Sequence, residues 1–127
     1  MAIDVTWGDE KQTLIHAIFL GEWDWYEFYA AAGEISQLMQ TSGPAVDVIL
    51  DMQNSKRMPN DLTIHLQRVQ FFQSIGGTTV IVQNGVARQP IPERLMRIMQ
   101  PDGKCGKLTY ANDLYEAQII LSTKQPV

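Results

Sequence analysis

Hydrophobic and polar positions alternate with a period of two from Ile3 to Trp7, where Ile, Val and Trp are separated by Asp and Thr. That is the pattern of a half-buried strand. Gly8-Asp9-Glu10-Lys11 then supplies turn chemistry and Thr13 to Leu20 resumes as a second strand, so the pair predicts a β-hairpin. From Asp24 the period changes. Trp25, Phe28, Tyr29, Ala32, Ile35, Leu38 and Met39 recur at helical spacing, which predicts a helix to about Gln40 with one apolar stripe against the sheet. Asp24 stands at its N-cap with Glu27 at the third helical position, and Trp23 and Phe28 occupy the staple positions on either side.

The run Val46 to Met52 is apolar and β-branched, follows Gly43-Pro44 and precedes a polar stretch from Gln53 to Asn60. It predicts a buried central strand followed by a loop, and in α/β sheets the carboxyl ends of strands are where sites are built. Leu62, Leu66, Val69, Phe72 and Ile75 then trace the buried face of a helix from Asp61, stopped by Gly76-Gly77. Thr78 to Gln83 predicts a second buried strand. Pro92 opens a third helix with Leu95, Ile98 and Met99 inward, and Lys107 to Ala111 is a short last strand. Asn112 or Asp113 caps a final helix through Leu121, and 122–127 is expected to fray. Strands alternating with helices require a largely parallel sheet with crossovers. The expected fold is therefore α/β: one domain over 1–127, with a mixed, mostly parallel sheet of about five strands, an opening hairpin and about four helices.

At 127 residues, 45% apolar and 19% charged, the chain has the composition of an ordinary globular domain, long enough to bury about two-thirds of its unfolded surface. The acidic start lacks the features of a signal peptide and no apolar run approaches a membrane span, so the expected location is cytoplasmic. Cys105 is alone, which excludes an internal disulfide or a two-cysteine metal site. The net charge of −4 divides unevenly: nine acids and one base lie in Met1 to Asp51, five acids and nine bases in the remainder. A duplex would be repelled by the first half, so no nucleic-acid partner is expected.

His16 and His65 are the only histidines and share no metal-ligand spacing, and the nucleophile-elbow, Walker and dinucleotide-binding motifs are missing. His65 lies beside Leu62 and Leu66 and reads as a structural histidine. No metal or cofactor is expected. Asp51, ending the central strand, is the one acid placed where an α/β fold could use it, and Asp47 four residues earlier is read on the opposite face. Val48-Ile49-Leu50-Asp51 followed by Met58-Pro59 resembles a response-regulator receiver. The Met-Pro pair comes too late, and the acidic pair expected at the end of a first strand is replaced by a hairpin. Lys56, Arg57, Arg88, Arg94 and Arg97 follow the parallel strands and form a candidate anion or acidic-partner surface. Trp23, Trp25, Phe28 and Tyr29 are chiefly core, while Tyr26 falls off the buried stripe and suits a partner or an apolar ligand.

The order of elements and the segment Val46 to Leu62 resemble a STAS domain of the anti-sigma factor antagonist type, with the SpoIIAA-like fold. The likeness covers nearly the whole chain. In the regulatory members a strand ending Asp-Leu-Ser leads to Asp-Ser-Ser-Gly, whose middle serine or threonine is a phosphorylation switch. Laying Asp51 on the first aspartate puts Pro59 at the second and Asn60, Asp61 and Leu62 over Ser-Ser-Gly, so the switch serine is absent, and Ser55 is off register. The resemblance implies a non-catalytic regulatory module that binds a protein partner, of the kind found in regulatory kinase or sigma-factor systems. Its expected contact surface is Ser55, Lys56, Arg57, Asn60, Asp61 and Thr63, with the exposed side of the following helix. The alternative is a carrier of a small apolar molecule or lipid between the first helix and the sheet, held by Trp23, Trp25, Phe28 and Tyr29. An enzyme using Asp51 with Ser55 or Asp61 ranks third, since no base, nucleophile and orienting group assemble at recognisable spacing. The free edge beside the opening hairpin can pair with a second copy, giving a homodimer.

Overall fold

The computed structural model describes residues 2–42, 46–55, 65, 77–83 and 107–122. Strands β1 (Ile3–Trp7) and β2 (Leu14–Gly21) form the hairpin, followed by helix α1 (Trp25–Ser42), β3 (Asp47–Ser55), β4 (Thr78–Val82), β5 (Lys107–Ala111) and helix α2 (Leu114–Ser122). The strands form one sheet in the order β1-β2-β3-β4-β5. β1 and β2 are antiparallel, and every later neighbour pair is parallel. The α/β class and the mixed five-stranded sheet agree with the sequence. Two of the four expected helices are described; the other two lie in 61–75 and 92–100, outside the described residues apart from His65.

Local chemistry sets the helix starts. The Glu27 N–H donates to Asp24 Oδ1 at 2.8 Å while Glu27 Oε1 accepts the Asp24 N–H at 3.3 Å, a reciprocal capping box. The staple partners Trp23 and Phe28 stack with centroids 6.1 Å apart. At α2, Asp113 Oδ1 accepts the Glu116 N–H at 2.8 Å, and Glu116 in turn accepts the Asn112 N–H at 3.1 Å. In the hairpin, Asp9 accepts the N–H groups of Thr13 and Leu14 and the Thr13 hydroxyl. Gln12 takes up the left-handed conformation there, with φ 58°.

The two faces of the sheet are covered differently. Ile15, Ala17 and Phe19 of β2, Val48, Leu50 and Met52 of β3 and Ile81 of β4 form one buried cluster with Trp23 and with Phe28, Ala31, Ala32 and Ile35 of α1. Ile49, Val80, Val82 and Ala111 form the second with Ala117 of α2. The strand period of two sends alternate residues to each face.

The end of β3 and the role of Gly77 differ from expectation. β3 continues through Gln53, Asn54 and Ser55, three residues predicted as loop. Its pairing with β2 skips between Ile18 opposite Asp51 and Leu20 opposite Asn54, so two β3 residues face one on β2. This bulge lets a polar segment remain in the sheet, because β2 supplies a partner as far as Gly21. Gly77, predicted only as a helix stop, has a second role. A Cβ there would lie well inside contact distance of the Val46 carbonyl oxygen and the Asp47 carboxylate, so the close approach of β4 to β3 requires glycine.

Candidate functional site

The parallel pairing of β2 with β3 brings together residues that are far apart in sequence, and Asp51, expected to end the central strand, lies in the middle of β3 because the strand continues to Ser55. Asp51 is 4% exposed. Its Oδ1 accepts the Gln53 N–H and the Gln53 side-chain amide, both at 3.1 Å. Its Oδ2 lies 3.3 Å from His16 Nε2. A buried carboxylate costs free energy unless its oxygens are hydrogen-bonded, and both oxygens of Asp51 are. The donors come from the bulge itself and from the neighbouring strand, so the carboxylate ties the bulged end of β3 to β2.

Asp47 was expected on the opposite face from Asp51. The two lie four residues apart on one strand, an even separation, and therefore share a face. Asp47 is not part of the same cluster: its Oδ1 accepts the Thr78 N–H at 2.8 Å and fixes the start of β4.

A second group lies around the N-terminus of α1. Trp23 Nε1 donates to Ser55 Oγ at 2.8 Å, which joins the approach to α1 to the last residue of β3. Trp23 sits edge-on to Phe19, with centroids 5.0 Å apart, and to Trp25 at 5.1 Å. Trp25 stacks on the His65 imidazole at 3.6 Å and 16°. The Tyr29 hydroxyl and His65 Nδ1 share a hydrogen bond of 2.6 Å. His65 is thus held by a ring face and a hydroxyl.

Of the four residues proposed to hold an apolar ligand, Trp23 and Phe28 are 2% and 3% exposed and belong to the core, whereas Trp25 is half-buried and Tyr29 exposed. Tyr26 is 88% exposed. Of the expected contact surface, Ser55 is described and half-buried; Lys56, Arg57, Asn60, Asp61 and Thr63 lie outside the described residues, as do Arg88, Arg94, Arg97 and Cys105. The His16–Asp51 and Trp23–Ser55 pairs were missed by the sequence reading. The usable signal for the first was the parallel pairing itself, which sets His16 of β2 beside Ile49 and so two residues from Asp51 on β3. Among the described residues no group of three or more His, Cys, Asp or Glu is arranged to hold a metal ion. None of the described helices is long and apolar enough to cross a membrane. No protein-family model, curated protein or solved structure matches the chain.

Proposed function

We propose that this protein is a non-catalytic, STAS-like regulatory module that works in the cytoplasm by protein–protein contact. The contact surface is the carboxyl end of the sheet around Ser55, the segment that follows it and the adjoining start of α1. The observation that carries the reading is the contrast at this end of the molecule. Asp51, the acid that a phosphoacceptor or hydrolytic mechanism would use, is buried with both oxygens engaged internally, while the Tyr26 ring on the first turn of α1 stands 88% exposed. An aromatic ring left in water gains most from burial against a partner, and such rings are enriched at interfaces. Asn60 in place of the switch serine favours constitutive contact over a phosphorylation-controlled one.

The test is affinity capture from a lysate of the cells that make the protein, comparing the wild-type chain with a variant reversed in charge at Lys56, Arg57 and Asp61. The expected result is a partner retained by the wild type and lost by the variant, with an unchanged thermal unfolding midpoint. Retention of every partner by a folded variant refutes the proposed surface.

A further inference from the structure

The outer edge of β1 has a property that the element order alone does not reveal. β1 is a terminal strand of the sheet, and among the described residues no strand pairs with its outer side. Its register with β2 places Ile3 opposite Phe19, Val5 opposite Ala17 and Trp7 opposite Ile15. The Leu20 N–H donates to the Ala2 carbonyl and the Gly8 N–H to the Leu14 carbonyl, each at 2.7 Å. These identify residues 2 and 8 as inward-bonded to β2. In an antiparallel ladder inward and outward residues alternate, so Asp4 and Thr6 also bond to β2. The N–H and C=O groups of Ile3, Val5 and Trp7 therefore point away from the sheet. Natural sheets protect such edges with Lys, Pro or bulges. β1 contains no Lys, Pro or bulge, its pairing with β2 is regular, and its one charge is the Asp4 carboxylate.

The geometry points to self-association through this edge, with two copies related by a twofold axis at Val5 and their β1 strands antiparallel. The three outward residues are symmetric about Val5. Val5 pairs with its counterpart and Ile3 with Trp7 of the other copy, so all three N–H and all three C=O groups on each side find partners in one continuous sheet. The side chains are self-complementary in the same register. Asp4 and Thr6, both exposed, face each other across the axis as the closely spaced pair, carboxylate against hydroxyl. A shift of the axis to Asp4 would set two carboxylates opposite one another, which is destabilising. The interface is isologous and closes at two copies. The inference concerns a surface separate from the proposed partner contact and does not depend on it.

Sedimentation velocity on the full chain tests this, over about a hundredfold range of concentration and at about 0.15 M salt or above, to screen repulsion between the two acidic halves. The wild type is expected to shift from monomer to dimer mass as concentration rises. Val5→Pro removes an outward N–H and leaves the β1–β2 ladder intact, because that ladder runs through Asp4 and Thr6, and is expected to remain monomeric. If Val5→Pro fails to fold, the exposed position 6 decides the matter. Thr6→Asp opposes two carboxylates at each end and is expected to abolish the dimer, whereas Thr6→Lys faces Asp4 and is expected to associate at least as tightly as the wild type. A wild type that stays monomeric throughout overturns the inference. So does a dimer that survives Thr6→Asp, or one that responds identically to Asp and Lys at position 6.

Discussion

Among the described residues the two faces of the sheet are packed differently: eight strand residues join the buried cluster under α1 and four the cluster under α2. Under α1 the space is filled by rings: Phe19, Trp23, Trp25 and Phe28 pack edge-on, tilted or stacked at centroid distances of 5.0 to 6.4 Å. Under α2 the buried hydrophobic residues among those described are Ile49, Val80, Val82, Ala111 and Ala117. The buried carboxylate Asp51 shares that face with Ile49. Rings remove much apolar area from water per residue and specify orientation through their edges. On the α2 face Asp51 ties β3 to β2 and to its own bulge by hydrogen bonds to His16 and Gln53. Deleting a ring on the aromatic face is therefore expected to cost more than deleting the Asp51 carboxylate on the other face.

The largest test of this contrast is Phe28→Ala. It opens a cavity among the rings of Phe19, Trp23, Trp25, Tyr29 and His65, and a loss of about 3–5 kcal/mol is expected in urea unfolding. Asp51→Ala, on the other face, leaves the Gln53 N–H without its acceptor, and a loss of about 1–3 kcal/mol is expected from the same measurement. If Asp51→Ala costs as much as Phe28→Ala, the division of labour is wrong. Asp24→Ala removes the cap of α1 and should cost about 1 kcal/mol by thermal unfolding.

The smallest effect is at the hairpin. Burial alone would raise the Asp9 pKa, but the hydrogen bonds from Thr13, Leu14 and Gln12 prevail and hold its carboxyl below the ordinary value of 3.8. A depressed folded-state pKa stabilises above the unfolded-state value, and this contribution disappears as pH falls through the folded-state value. Unfolding midpoints of the wild type and Asp9→Asn should therefore differ at pH 6 and converge on acidification below about pH 3.8.

Local signals in the sequence were legible because they act over a few residues. Asp24 with Glu27, Trp23 with Phe28, and the alternation of β1 each predict their element without reference to the rest of the chain. The end of β3 was not legible in this way. Gln53, Asn54 and Ser55 are polar and lack strand preference, and they stay in the sheet because β2 lies alongside and a bulge accommodates the mismatch. His16 with Asp51 and Trp23 with Ser55 are separated by 35 and 32 residues, and only strand pairing brings them together. Gly77 was readable as a breaker, but its need for close approach to β3 depends on Val46 and Asp47. Asp51, expected to end the central strand, lies in the middle of β3, and the bonds that surround it were hidden in the register.

The most direct test of the central claim compares partner capture by Tyr26→Ser and Asp51→Asn. The first removes an exposed ring and leaves the core untouched; the second removes the carboxylate charge while keeping an acceptor oxygen for the Gln53 N–H. The account predicts that Tyr26→Ser loses the partner and Asp51→Asn retains it, both with wild-type circular dichroism. Loss with Asp51→Asn and retention with Tyr26→Ser would show that function depends on the chemistry of the carboxylate, and would contradict the account.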